Sequence, residues 1–235
     1  MTIVYSASPG TASKSLNKRL EIILNSKSIL LNSYSGIGHI ALDIPLKKKI
    51  LKKLNLNFLD KTKLIYGHIF PTKKNLSLLN NYYDVDHYII SYRNIFDQLN
   101  YFYKWQKYDF RSPLNFPEEK NFRTNKKFTS DNFNIDLNLL LILNFYKHWF
   151  YLIQNNEIKN FTLISFEEIK TMNENYKKKI FNIFKKINHK NNAKFDVSVN
   201  DGLRNKEEFE ILPRHRNTIN EFISFNNEVD FNLII

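Results

Sequence analysis

Residues 2–20, TIVYSASPGTASKSLNKRL, contain the pattern from which the fold is predicted. Residues 3–5 are β-forming and typical of a short buried strand. Residues 6–15 are mostly small or hydroxylated, and residues 16–24 alternate apolar and charged side chains at helical spacing. A strand, a small-residue loop and a helix form the layout of a phosphate-binding loop, because loop amides and a helix N-terminus both favour anions.

The loop sequence SPGTASKS, residues 8–15, keeps the Lys14-Ser15 pair of the Walker loop but has Ser8 and Ser13 where that loop has glycine. A surface turn between a strand and a helix uses the same residue types. The pattern alone therefore leaves two interpretations open, an anion-binding loop and an ordinary turn.

The composition indicates a folded chain with anionic partners. With 235 residues, 43% of them hydrophobic and 15% aromatic, the chain suits one α/β domain, residues 1–235, rather than a disordered segment. The absence of cysteine excludes disulfides and thiolate metal sites and fits a reducing compartment. A net charge of +12 favours nucleotides and sulfated or phosphorylated substrates. Many lysines stand in Lys/Asn clusters typical of solvated helix faces, so we expect no nucleic-acid partner.

Membrane and targeting signals are not evident in the sequence. The N-terminus runs into a strand without a basic flank or an apolar segment of signal-peptide type. The longest apolar run, residues 137–153, is interrupted by Asn144, Lys147 and His148. We expect a cytoplasmic protein without a transmembrane segment.

Four strand patterns alternate with helical patterns along the chain. The strand patterns cover residues 3–5, 63–68, 87–92 and 161–165, and residues 28–31 are either a short strand or a loop. The helical patterns cover residues 16–24, 46–58, 76–82, 94–105, 137–154, 173–188 and 217–225. This alternation predicts an α/β fold in which a mainly parallel sheet lies between two layers of helices. Residues 106–130 lack periodicity and predict a long loop or lid.

Three polar sites follow three of the predicted strands: the loop at Pro9, then His68, then Arg93. Ligands of parallel α/β sheets bind at the carboxyl ends of the strands. The sequence therefore predicts a binding site at this edge of the sheet.

With these sites placed, the chain resembles the sulfotransferases that use 3′-phosphoadenosine 5′-phosphosulfate (PAPS) on a P-loop-like fold. Residues 8–16, SPGTASKSL, are similar to that family's loop for the 5′-phosphosulfate. The family has Arg or Lys where this chain has Gly10 and glycine where it has Ala12, and Lys14 is expected to supply the missing charge. The donor-binding residues implied by this part of the resemblance are Pro9, Gly10, Thr11, Ala12, Ser13, Lys14 and Ser15.

Residues 88–97, YIISYRNIFD, are similar to the family's strand that ends in Arg-Asn/Asp-Pro-x-Asp. The arginine of that motif binds the donor's 3′-phosphate, which implies this role for Arg93. Tyr101 stands where the family has a phosphate-binding serine. Residues 200–204, NDGLR, resemble a late loop whose basic residue reaches the same phosphate, which implies Arg204. Similar segments at 67–71, 161–169 and 217–231 extend the resemblance, in order, over nearly the whole chain.

The resemblance implies transfer of a sulfuryl group from PAPS to a hydroxyl or amine of an acceptor, a carbohydrate being one candidate, without a metal. Lys14 and the loop amides would stabilise the departing phosphate oxygen. His68 is the candidate general base because histidine titrates near neutral pH, and His39 is the second choice. A histidine that caps a neighbouring loop is the structural alternative for His68.

Two other functions stay open at this point. A P-loop nucleotide kinase or NTPase is disfavoured by the absence of Gly-Lys-Ser and of an apolar strand ending in a Walker-B aspartate. A catalytically inactive, nucleotide-binding member of the fold is kept open by the departures at Gly10 and Tyr101.

Four other polar residues have structural interpretations. Glu167 and Glu168 are predicted to cap a helix, His148 to lie in or beside the core, and His215 to lie at the surface or contact an acidic acceptor.

Overall fold

The computed structural model describes residues 2–31, 63–108, 135–186 and 210–235. Its strands are β1 Thr2–Ala7, β2 Ser28–Leu30, β3 Lys63–Gly67, β4 His87–Tyr92 and β5 Phe161–Ser165. Its helices are α1 Ser13–Leu24, α2 Lys73–Tyr83, α3 Ile95–Tyr108, α4 Ile135–Gln154, α5 Phe166–Thr171, α6 Glu174–Lys186 and α7 Pro213–Phe225.

The described strands form one sheet in the order β2-β3-β1-β4-β5, and every neighbouring pair is parallel. The predicted α/β fold with a parallel sheet is therefore confirmed. Residues 28–30, which the sequence left open between strand and loop, form the edge strand beside β3. The sheet thus has one strand more than the four predicted, and β1 lies at its centre.

The two faces of the sheet carry separate apolar clusters, because successive side chains of a strand point to opposite faces. In β1, Val4 belongs to one cluster, whereas Ile3 and Tyr5 belong to the other. Buried residues of α1 and α6 pack with Ile3 and Tyr5, and those of α2, α3, α4 and α7 pack with Val4. The predicted layer of helices on each face is confirmed.

The last helix starts earlier than its pattern predicts, and this corrects the expectation for His215. Helix α7 begins at Pro213, a residue whose fixed φ favours the first helical position. His215 then lies on the same face as Ile219, one turn further on, and both side chains are 0% exposed. The expected surface position of His215 is therefore wrong.

Some predicted segments are only partly described. Residues 106–108 of the predicted loop belong to α3, whereas residues 109–130, like the predicted helix 46–58, lie outside the described residues. Among the helices of the described segments, none combines the length and the apolarity that crossing a bilayer requires.

Candidate functional site

The site begins at the carboxyl edge of the three central strands. Ser6 of β1 pairs with Gly67 of β3, and Ala7 pairs with Ser91 of β4, so these strands end at the same level. The loop 8–12 continues β1, and His68 directly follows β3. Arg93 directly follows β4.

The loop ends at an N-terminus of α1 that no side chain caps. The N-cap residue is Ala12, whose methyl group cannot accept a hydrogen bond, and the first turn contains no acidic residue. Ala12 has φ +56°, in the left-handed region, and Gly10 has φ +81°. The first amides of a helix have no intrahelical acceptor, and the helix dipole favours negative charge beside them. This end of α1 is therefore suited to an anion.

A chain of buried hydroxyl groups connects the loop to β1 and β4. Thr11 Oγ1 donates to the carbonyl of Ser8 at 2.7 Å, and it lies 2.7 Å from Ser91 Oγ. Because the single proton of Thr11 goes to Ser8, Ser91 is the donor to Thr11, and Tyr5 donates in turn to Ser91 at 3.1 Å. Burial raises the pKa of Tyr5 well above its ordinary value, so the phenol stays a donor. The side chain of Thr11 thus points into the protein and ties the loop to β4.

The other residues predicted to bind the 5′-phosphosulfate differ in exposure. Pro9 and Ser15 are buried, and Ser13 Oγ accepts a hydrogen bond from Tyr66 at 2.9 Å. Lys14 is exposed on the first turn of α1. Its ammonium group can therefore swing toward an anion held at the start of the helix.

Arg93 is a partly buried cation beside the loop. Its Nη1 donates to the carbonyl of Gly10 at 3.1 Å, and its guanidinium lies 3.9 Å from the centre of the Phe166 ring. Burial lowers the pKa of Arg93, although the charges of Asp97 and Glu167 act in the opposite direction. Within the described segments, no ion pair includes Arg93, and its buried Nε has no hydrogen-bond partner. The desolvated charge therefore keeps donor capacity for an anion.

His68 is buried and held by the end of the central strand. Its Nδ1 hydrogen-bonds to the carbonyl of Ala7. Because a carbonyl only accepts, Nδ1 carries the proton, and the lone pair of the neutral ring lies on Nε2. This is the tautomer that lets Nε2 take up a proton. The contact also ties His68 to the last residue of β1, directly before the loop.

Helix α3 lies along the loop and contributes two contacts. The ring of Tyr101 packs against Gly10, so that a Cβ added there would lie 2.8 Å from Tyr101 Cδ1. Gln98, one turn earlier on the same helix, is fully buried, and its Nε2 donates to Ser8 Oγ at 2.7 Å and to the carbonyl of Pro9. These contacts hold residues 8–10 against α3.

Sequence reasoning missed Gln98 and Tyr146. Tyr146 lies on α4, is fully buried and donates to Gln98 Oε1 at 2.9 Å. The position of Gln98, one helical turn after the buried Ile95, was a usable signal, because an amide on a buried face needs partners. Tyr146 gave no signal within the apolar pattern of α4.

The other predicted residues have the following positions. Ser165 and Glu168 form a capping box at the start of α5, so the predicted capping role of Glu168 is confirmed. Glu168 also lies 2.8 Å from Lys179. His148 is partly buried and bonded to the carbonyl of Asn144, at the edge of the core as predicted. His39 and Arg204 lie outside the described residues.

A cavity of about 350 Å³ lies elsewhere, beside the amino ends of β4 and β5. Asn80, Tyr88 and Asn160 are among its lining residues. The candidate site is located by its converging polar groups and not by cavity volume.

No protein-family model matches this chain, and no curated protein matches it in sequence. Among solved structures, it is similar to the crystal structure of a sulfotransferase from Alicyclobacillus acidocaldarius. The two share 11% sequence identity and a TM-score of 0.49, over 95% of this chain and 91% of the other.

Proposed function

We propose that this chain is a sulfotransferase that moves the sulfuryl group of PAPS to a hydroxyl or amine of an acceptor. The observation that carries the proposal is Arg93, a partly buried arginine without a carboxylate partner in the described segments. Its guanidinium donates to the carbonyl of Gly10, in a loop that opens an uncapped helix. A nucleotide with anionic groups at both its 5′ and 3′ positions matches these two adjoining features.

The donor would be held by two parts of the site. The amides of residues 10–13 and the exposed Lys14 would hold the 5′-phosphosulfate, because the dipole of α1 favours an anion there. The planar guanidinium of Arg93 would hold the 3′-phosphate, and its unpartnered Nε supports this fit. Tyr101, whose ring packs against Gly10 of the loop, would contribute its hydroxyl to the same phosphate, and Arg204 is a further candidate from the sequence.

Catalysis would depend on positioning and electrostatics. When bound, PAPS would supply the sulfuryl group, and 3′,5′-adenosine bisphosphate would leave through its 5′-phosphate oxygen. By analogy with phosphoryl transfer, the attacking and leaving oxygens lie in line, and the protein orients them. Lys14 and the loop amides would stabilise the charge that develops on the leaving oxygen.

His68 would accept the proton of the acceptor. The lone pair of its neutral ring is on Nε2, because Nδ1 donates to Ala7. A carbohydrate alcohol is the acceptor class we put forward first, and other hydroxyl compounds and amines follow the same chemistry.

Calorimetric titration with 3′,5′-adenosine bisphosphate, AMP and ATP tests the proposal. We expect the bisphosphate to bind more tightly than AMP by about tenfold or more, since a charge-assisted contact to the 3′-phosphate contributes roughly 1.5–3 kcal/mol. Preference for ATP would replace the proposal with a P-loop kinase or NTPase. Absence of binding for all three nucleotides would reject the donor site.

A further inference from the structure

We propose that Tyr146 and Gln98 are a positioning pair that holds the anion-binding loop and Arg93 in one geometry. The inference rests on the proposed function, because it concerns the two parts of the donor site. Neither residue is expected to contact the donor. Both act through the groups to which they are hydrogen-bonded.

Three buried side chains form a chain of hydrogen bonds. Tyr146 Oη donates to Gln98 Oε1 at 2.9 Å, and Gln98 Nε2 donates to Ser8 Oγ at 2.7 Å. Each of the three side chains is 0% exposed.

Two further contacts connect this hydrogen-bonded chain to the donor site. The backbone N–H of Arg93 donates to Tyr146 Oη at 3.3 Å, and Gln98 Nε2 also donates to the carbonyl of Pro9. These hydrogen bonds therefore join the loop after β1 to the start of α3. Since Arg93 Nη1 in turn donates to Gly10, the loop and the arginine are connected twice.

None of the three side chains can be removed without leaving a hydrogen-bonding group of another one unsatisfied. A buried acceptor or donor without a partner costs roughly 1–3 kcal/mol. Loss of the Tyr146 hydroxyl would leave Gln98 Oε1 without its donor and the Arg93 amide without its acceptor. We therefore expect one substitution on α4 to loosen both parts of the site.

The test compares Tyr146→Phe with Tyr88→Phe in the full chain without nucleotide. Tyr88 is a matched control, because it is also buried and bonded through its hydroxyl, to Asn80 at 3.1 Å, near the opposite end of β4. Amide hydrogen exchange is followed by NMR at Arg93 and at Leu16, whose amide donates to the carbonyl of Ala12 at the end of the loop at 3.1 Å. We expect Tyr146→Phe to accelerate exchange about fivefold to 100-fold at both places, and Tyr88→Phe to accelerate it at neither.

Gln98→Met is the second variant and tests whether the pair acts as a unit. The substitution removes the hydrogen bonds of Gln98 to Ser8, Pro9 and Tyr146. It leaves the contact between Tyr146 and the Arg93 amide in place. We expect exchange at the Arg93 amide to accelerate nevertheless. Wild-type exchange at Arg93 in this variant, or acceleration at Arg93 alone in Tyr146→Phe, would overturn the proposal.

A nucleotide readout separates positioning from general stabilisation. We expect Tyr146→Phe to reduce the affinity ratio of 3′,5′-adenosine bisphosphate to AMP, because the ratio depends on the placement of Arg93 relative to the loop. Equal weakening of both nucleotides would overturn the positioning role. If the wild-type protein binds neither nucleotide, the proposed function fails by itself, and hydrogen exchange still decides the inference.

Discussion

The ring of Tyr101 occupies the space that a side chain at Gly10 would need. A Cβ at residue 10 would lie 2.8 Å from Cδ1 of Tyr101 and 3.3 Å from two other ring atoms. In the sulfotransferase pattern that this chain resembles, a basic residue stands at position 10 and a serine at position 101. The two departures from that pattern therefore face each other in the fold, and the large residue at one position goes with the absent side chain at the other.

This contact predicts that the two positions are energetically coupled. Gly10→Ala should destabilise the protein more in the wild-type background than in Tyr101→Ser, where the ring is gone. Because φ is +81° at position 10, an alanine there is strained in either background, and the cost of this strain cancels in the comparison. We expect a coupling of about 1 kcal/mol, measured by urea unfolding of the four proteins.

Tyr101→Phe is the control for this cycle, because it keeps the ring and removes the hydroxyl. In that background Gly10→Ala should cost as much as in wild type. An equal cost in all three backgrounds would mean that the backbone strain explains the whole effect.

Replacement of Arg93 tests the 3′-phosphate role. Arg93→Gln removes a desolvated charge and its planar set of donors, so we expect affinity for 3′,5′-adenosine bisphosphate to fall about 10- to 100-fold. Affinity for AMP should change much less, because AMP lacks the 3′-phosphate. Calorimetric titration of both nucleotides provides the measurement.

Lys159→Gln controls for the loss of one positive charge in this basic protein, since Lys159 is exposed beside the amino end of β5. It should leave both affinities at wild-type values. An Arg93→Gln protein that binds the bisphosphate normally would remove Arg93 from the donor site.

The location of the site followed from the sequence because parallel topology places consecutive strand ends at one edge. Once residues 3–5, 63–68 and 87–92 were predicted as strands of one parallel sheet, the loop at Pro9, His68 and Arg93 were expected at the same edge of that sheet. The edge strand at residues 28–30 stayed open because three residues are too few for a periodic pattern.

The hydrogen bonds that hold the loop against α3 and α4 could not be predicted from the sequence. Tyr146 and Gln98 are 48 positions apart, and their contact depends on how α4 packs against α3. A tyrosine in an apolar helix is ordinary core in any local pattern, and only its partners give it a polar role. His215 shows the same limit, because its burial depends on α7 beginning at Pro213.

Backbone strain at Ala12 leads to a stability prediction. Ala12 has φ +56°, in the left-handed region that disfavours residues with a Cβ. Ala12→Gly should relieve about 1 kcal/mol of strain, reduced by the loss of a partly buried methyl group. We expect the melting temperature to rise by about 1–3 °C.

Asn25→Gly is the matched control at the other end of α1, where φ is +48°. Asparagine tolerates the left-handed region, so the gain should be smaller there. A lower melting temperature for Ala12→Gly would mean that packing of the methyl group outweighs the strain.

His68→Gln tests the general base while preserving the loop contact, because the glutamine amide can also donate to the carbonyl of Ala7. The variant should bind 3′,5′-adenosine bisphosphate like wild type, since no donor contact is assigned to His68. Loss of a general base should lower kcat about 10²- to 10⁴-fold. The rate is measured as release of the bisphosphate from PAPS with a carbohydrate acceptor that the wild-type protein uses.

His87→Gln is the control for this change, because His87 is also buried but bonds to Thr162 at 2.9 Å near the amino end of β4. Its kcat should match wild type, since the proposed reaction assigns no role to that end of the sheet. If His68→Gln turns over like wild type, His68 only supports the loop, and the proton of the acceptor must go to another group. If His68→Gln instead loses donor affinity together with kcat, the imidazole itself is needed for donor binding, and the loss of kcat does not identify it as the base.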